Sequence, residues 1–238
     1  MTRTNARDMT RFWAKEMAMP PDFQPKAGEI YVFGQELYDG VQLFLRNDWL
    51  VIASPLCRVK PIEERVFNLP IQQVFTVESV RNLLFPDVGI ILGPAKIGYL
   101  DQTIFLPTPT SSCRMLTSED LDNLKLFSET LNTTELEQSG FHPHETPAFG
   151  AFCDGLLCSV ATYQVWEPRI AHITVATHPE YRRRGFGQSA ISAFAEHAFE
   201  HGLILQYRAL TSNTNSIFLG NSLEFQPYCS TIYARPAA

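Results

Sequence analysis

Residues 171–190 read AHITVATHPEYRRRGFGQSA, and the fold of the chain turns on this stretch. Ile173, Val175 and Thr177 alternate with His172, Thr174 and Ala176, the two-residue period of a strand. His178-Pro179 ends the strand, because proline has no N–H to give a ladder. Gly185 and Gly187 then open a helix. Its apolar positions Phe186, Ala190, Ile191, Phe194, Ala195 and Ala198 cover one face at the helical period.

A strand, a turn and a glycine-bearing helix start make a place for an anion. The first amides of a helix have no intrahelical partner, and the helix dipole puts partial positive charge at the same end. Glycines let a diphosphate come close to the backbone. Arg182, Arg183 and Arg184 sit immediately before this helix and add formal charge. The plain alternative is an ordinary helix start behind a solvated basic turn.

Arg182-x-x-Gly185-x-Gly187, after a strand that ends in His-Pro-Glu-Tyr, resembles the acyl-CoA signature of the GNAT N-acetyltransferase superfamily. Asn213-Thr-Asn-Ser216-Ile-Phe-Leu219 and Leu223-Glu-Phe225 resemble the second signature of the same superfamily. The resemblance covers roughly residues 113 to 235. It implies that the loop of Arg182, Arg183, Arg184, Gly185, Phe186, Gly187 and Gln188 holds the pyrophosphate of acetyl-CoA. It also implies that Val175, Ala176 and Thr177 pair with pantetheine, and that Asn213 and Ser216 complete the binding set.

Gly185-x-Gly187-x-x-Ala190 also satisfies a dinucleotide fingerprint. Two features count against it. Seven residues, His178 to Arg184, separate the strand from the first glycine, where the fingerprint needs a tight turn. No acid follows between Glu200 and Glu224 to hold a ribose.

The 238 residues suffice for one large domain or two small ones, and 45% hydrophobic content supplies ample core. The formal charge of −6 argues against a general nucleic-acid surface. The charge is uneven: residues 1–110 carry 11 basic and 12 acidic side chains, residues 111–238 carry 8 and 13. Three of those 8 basics are Arg182, Arg183 and Arg184, a placement that suggests an anionic partner. Five cysteines without paired spacing suggest reduced thiols, and with them a cytoplasmic protein. No metal-ligand spacing appears, and no metal is expected. No apolar N-terminal segment and no run of eighteen apolar residues is present, so neither a signal peptide nor a membrane partner is expected.

Residues 1–112 are expected to form an N-terminal α/β domain. Residues 5–18 read as an amphipathic helix with Met9, Phe12, Trp13 and Met17 on one face, docked on the body. Strands are expected at Glu29–Phe33, Val41–Arg46, Trp49–Ala53, Val88–Leu92 and Ile97–Leu100, with a helix over 76–84 capped by Thr76. Pro107 to Ser112 reads as a linker. This half carries no catalytic motif; a degenerate copy of the GNAT fold is one account of it.

Residues 113–238 are expected to form the acyltransferase domain: an α/β, α+β-type fold with a mixed, mostly antiparallel central sheet flanked by helices. Thr117 starts a helix, Thr133–Ser139 is a second, and Ala148–Cys153 with Leu156–Trp166 is a hairpin on Asp154-Gly155. Arg169–Thr177, a helix from Gly185 to His201, Leu203–Leu210, a helix over Thr214–Ser222 and a last strand near Tyr228–Ala234 follow. Glu129, Glu135, Glu137 and Glu145 form an acidic lip that would suit a cationic amine, or else a solvated helix face.

The resemblance implies N-acetyl transfer from acetyl-CoA to a small-molecule or peptide amine by direct attack in a ternary complex. A homodimer is left open. The usual catalytic glutamate position falls on Ala171 and the usual tyrosine on Gly220, so neither side chain transfers. His172 on the strand and Tyr228 on the last strand are the candidate catalytic residues, each with packing as its alternative. The missing pair motivates a second reading, a catalytically silent acyl-CoA-binding sensor.

Overall fold

The computed structural model describes residues 3–36, 38–85, 88–109, 112–142 and 147–237. Packing divides the chain into two compact units that are interleaved in sequence. One comprises Tyr99–Arg208 with Phe218–Gln226; the other comprises residues to Gly98, Ala209–Ile217 and the residues from Pro227 on.

In the unit that holds the N-terminus, helix α1 (Arg3–Glu16) is followed by strands β1 (Ile30–Gln35), β2 (Val41–Arg46) and β3 (Trp49–Pro55). Met9, Phe12, Trp13 and Met17 are all 4% exposed or less, so α1 docks on the body as its apolar face requires. Trp13 lies 4.9 Å from Phe44. β2 and β3 form the expected hairpin, with Asn47 at a φ of 52° in the turn. Helices α2 (Val59–Val66) and α3 (Ile71–Val74) are additions to the expected elements. Each is too short to show more than one pair of core positions, Ile62 with Val66 and Ile71 with Val74.

The helix expected over 76–84 is one α turn, α4 (Val77–Ser79), running into a π turn at Val80–Leu84. Thr76 caps it by accepting the Ser79 N–H at 2.9 Å. The two strands expected at 88–92 and 97–100 are one, β4 (Val88–Leu100). Gly93 makes the continuity possible. Its φ of 127° suits glycine alone, and a Cβ there would meet the Thr231 carbonyl at 2.7 Å. β10 (Gln226–Pro236) pairs antiparallel with β2, so the strand order is β1-β3-β2-β10-β4. The ladder thus ties the end of the chain to elements of its first hundred residues.

The other unit orders its strands β5 (Cys113–Met115), β6 (Ala148–Cys153), β7 (Leu156–Glu167), β8 (Ile170–Thr177) and β9 (Ile204–Leu210). β5 was not foreseen, being three residues inside a polar stretch. Asp154 and Gly155, at φ of 49° and 82°, make the β6–β7 turn that Asp-Gly favours. Helix α7 (Phe186–Glu200) packs on one face through Phe194, which lies 4.8 Å from Tyr163. Gly202, at a φ of 67°, terminates it.

Helices α5 (Leu121–Glu129) and α6 (Thr133–Ser139) belong to the opposite face. There Leu124, Phe127, Leu131 and Phe141 form a core with Val160 and Ala176. A single 3-10 turn, Ser118–Asp120, precedes α5, with Thr117 and Asp120 in a capping box. Arg114 holds Asp120 in two hydrogen bonds of 2.7 and 2.6 Å. α8 (Thr214–Ser222) is shared between the two units. Among the described residues no helix is long and apolar enough to cross a membrane, and all five cysteines are free thiols. Of the expected linker, residues 110–111 lie outside the described residues, as does Glu145.

Candidate anion-binding loop and cleft

Beyond Thr177 the chain leaves the sheet through a hydrogen bond from His178 N–H to the Cys158 carbonyl. His178 Nδ1 accepts the Glu180 N–H at 3.2 Å, fixing one 3-10 turn over Pro179–Tyr181. Arg183 and Gly185 then take positive φ, 59° and 87°. Such alternation turns successive amides toward one concavity, a nest for an anion. The first bond of α7 runs from Ser189 N–H to the Gly185 carbonyl, so the amides of Phe186, Gly187 and Gln188 open onto the same place.

The two glycines do different work. Gly185 needs its left-handed backbone, and a Cβ there would meet only Gln188 Oε1, at 3.8 Å. Gly187 has ordinary φ but no room: a Cβ would come within 3.1 Å of Thr177 Oγ1. Gly187 therefore lets α7 sit tightly against the end of β8.

The arginines divide as well. Arg182 Nε donates to the Thr177 carbonyl at 3.2 Å, and its Nη2 lies 2.7 Å from Glu135 of α6. It braces the loop. Arg184 lies over the Tyr181 ring at 4.8 Å and the Phe186 ring at 5.5 Å. Arg183 is exposed and has no side-chain partner among the described residues. Gln188 Nε2 donates to Ser222 Oγ at 2.8 Å, which locks α7 to the end of α8.

β8 pairs with β7 along its length, with Val175, Ala176 and Thr177 opposite Ala161, Val160 and Ser159. Its parallel ladder with β9 covers Ile170 to His172 and stops there. Beyond His172 the strands part, so among the described residues the backbone from Thr174 to Thr177 pairs with β7 alone.

His172 lies at the point where the ladder ends. Trp166 stacks on its ring at 4.1 Å and 17°. Burial, then the positive charge of Arg208, push its pKa down to about 4, so the imidazole is neutral at ordinary pH. The Gln206 side chain opposes that shift as a hydrogen-bond partner of the ring, and His172 Nδ1 has no other partner among the described residues.

Tyr228 belongs to the other unit. Arg46 donates to its hydroxyl at 2.8 Å and lies over its ring at 4.0 Å. Burial raises the Tyr228 pKa, with Arg46 opposing. Asn213 and Ser216 also belong to that unit, where Asn213 Oδ1 accepts the Ser216 N–H at 3.0 Å and caps α8. Gly220 is glycine for packing reasons: a Cβ would meet the Tyr207 ring at 2.9 Å.

Sequence reasoning missed the part Glu135 plays. Its carboxylate accepts the Asn132 N–H and pairs with Arg182, and in that order these hold its pKa below the usual carboxylate range. The signal was present as Asn132-x-x-Glu135, a capping box. No group of three or more His, Cys, Asp or Glu able to hold a metal ion occurs among the described residues.

Residues 114–221 match the model of the acetyltransferase (GNAT) family. No curated protein matches the chain. A GNAT-family structure from Novosphingobium aromaticivorans is similar over 63% of this chain and 67% of its own, at 19% identity and a TM-score of 0.52. A GNAT-family acetyltransferase from Colwellia psychrerythraea is 12% identical over 66% of this chain and 61% of its own, with a TM-score of 0.49. The chain thus spans about two thirds of the length of these structures. The first likeness is one of fold, a mixed sheet flanked by helices.

Proposed function

We propose, from the premise that residues 114–221 belong to the acetyltransferase (GNAT) family, that the chain transfers an acetyl group from acetyl-CoA to an amine. The observation that carries the acetyl-CoA assignment is the nest at Arg183 and Gly185 facing the open amides of Phe186, Gly187 and Gln188. Residues 113–238 are the proposed extent of the catalytic segment.

Bound acetyl-CoA would supply an activated thioester. The residues that would hold it fit that task. The amides of the loop and of α7 receive the diphosphate, with Arg183 adding charge from an exposed position. The backbone of Val175, Ala176 and Thr177, cleared by the parting of β8 and β9, receives the pantetheine amides. An amide of that same stretch stabilises the charge that develops on the carbonyl oxygen. Asn213 and Ser216 cap the start of α8.

The amine nitrogen bonds to the carbonyl carbon as the carbon–sulfur bond breaks, and a proton of the amine ends on the departing thiolate. Neutral His172 fits the task of orienting the amine better than that of deprotonating an ammonium, because a group with pKa about 4 takes such a proton poorly. Tyr228, engaged by Arg46, is assigned a structural part. Catalysis then rests chiefly on positioning and on backbone dipoles.

Titration calorimetry with acetyl-CoA tests the reading. Micromolar binding that Gly187→Trp abolishes is expected; binding indifferent to that change would overturn it. The sensor reading draws on Ala171 and Gly220 at the usual catalytic positions. Sustained CoA release with any amine, above background hydrolysis, rejects the sensor.

A further inference from the structure

On the sheet face opposite α7, four side chains carry a buried polar atom with no hydrogen-bond partner of ordinary geometry among the described residues. They are Thr162 Oγ1, Thr174 Oγ1, His172 Nδ1 and Gln206 Oε1. The ladders bring them together. Thr162 stands opposite Thr174 and Gln206 opposite His172, and Thr174 follows His172 by two on β8. Paired residues and residues two apart share a face, so the four form one row across three strands. Thr162 and Gln206 are fully buried and Thr174 is 5% exposed. The other end of Gln206 is already engaged, with Nε2 donating to the Tyr99 hydroxyl at 2.7 Å.

Buried polar groups in native proteins are nearly all paired, and each exception calls for a reason. Four adjoining polar groups of this kind, beside the point where β8 and β9 part, make a polar row inside an otherwise apolar face. The cover is light. Gly140, the cap of α6, lies on Thr174, where an added Cβ would come to 3.2 Å of Thr174 Cγ2. No residue of α6 is fully buried, though Leu136 packs on the core that Leu131 and Phe141 anchor at either end of the helix, and its tie to the loop is the ion pair of Glu135 with Arg182.

We propose that this row is the acceptor subsite, uncovered when α6 lifts, and that it selects a primary amine bearing hydroxyl groups, as amino sugars and amino alcohols do. The proposal rests on the acetyltransferase reading above. The chemistry of the row decides the class. Threonine hydroxyls both donate and accept, a neutral imidazole Nδ1 does either according to tautomer, and the Gln206 carbonyl oxygen accepts only. Ligand hydroxyls, which donate and accept, can satisfy all four. A carboxylate brings acceptors alone and leaves Gln206 Oε1 unpaired. A second ammonium brings donors alone and would meet the positive field that Arg208 sets at His172. This differs from the cationic acceptor that an acidic lip would suit; Glu135, one of its members, is already spent on Arg182.

The test uses the full chain with acetyl-CoA and four primary amines: glucosamine, serinol, cyclohexylamine and putrescine. CoA release is the readout. Glucosamine and serinol should exceed the other two in kcat/KM by about tenfold or more, the size expected for one or two hydrogen bonds. In Thr174→Val and Thr162→Val that preference should fall about tenfold, chiefly through KM. The acetyl-CoA dissociation constant, measured in the same variants, should hold. A preference for cyclohexylamine or putrescine overturns the subsite, as does a hydroxyl preference that survives both valines. Failure of acetyl-CoA to bind, or binding without turnover of any amine, overturns the acetyltransferase reading and the subsite with it. Should either valine variant fail to fold, Thr162→Ser and Thr174→Ser, which keep the hydroxyl, must preserve the preference for the proposal to stand.

Discussion

The Glu135 carboxylate lies 2.7 Å from Nη2 of Arg182 and also accepts the backbone N–H of Asn132, so one side chain caps α6 and ties it to the loop before α7. Glu135→Gln keeps a cap acceptor but removes the charge. It should cost about 0.5–1 kcal/mol, since Arg182 is partly exposed and the pair is screened. Because the folded pKa of Glu135 is lowered, its contribution is present above the unfolded carboxylate pKa and is lost as pH falls below it. Hydrogen exchange should show faster opening in α6 in the variant, with α7 unchanged.

Arg183 sits at the nest with no side-chain partner among the described residues. Arg183→Ala should raise the acetyl-CoA dissociation constant about tenfold, a charge-assisted contact of about 1–2 kcal/mol. It should also flatten the salt dependence of binding. Thermal unfolding should shift little, because an exposed turn position seldom matters to stability. Calorimetry at two salt concentrations checks both.

Gly185→Ala and Gly187→Ala should fail in different ways. At Gly185, with φ of 87° and open space around it, alanine costs roughly 1–2 kcal/mol of backbone strain. At Gly187 the backbone is unstrained, but the new methyl presses on Thr177 Oγ1 from 3.1 Å. That moves the helix start away from β8 and should weaken acetyl-CoA binding more than the first change does. Paired melting curves and binding isotherms separate the two.

His172 is neutral when folded and gains a proton readily when unfolded. Its folded pKa of about 4 lies below the ordinary 6.5. The unfolded chain therefore binds more protons between those values. Stability is full above about 6.5 and falls as pH drops toward 4, by up to about 3 kcal/mol in total. Denaturant titrations across that window should show the loss in the parent protein and a flatter profile in His172→Phe.

The stretch 171–190 was legible because its signals are local. Alternation over His172–Thr177, Pro179 after it and the apolar spacing of α7 each fall within one helix or strand. The Asp154-Gly155 turn and the capping residues Thr76 and Thr117 were readable on the same ground, a cap satisfying backbone groups within three residues of itself, while Asn132 carried the same local signal unread. Elements with few core positions escaped, among them α2, α3 and β5, because two or three apolar residues define no period.

By itself, then, the sequence determined the β8–loop–α7 unit, since the residues that make it are neighbours in the chain. Only the tertiary structure decided what those residues are for. Three adjacent arginines look alike in a sequence, but Arg182 meets Glu135, Arg184 meets Tyr181 and Phe186, and Arg183 meets neither. Gly185 and Gly187 differ only in φ and in what a methyl would strike. The row of Thr162, Thr174, His172 and Gln206 spans 45 residues of chain, from 162 to 206, and exists only because two ladders hold it in register. Contacts between distant residues carry no local periodicity, so folding alone brings them to one face.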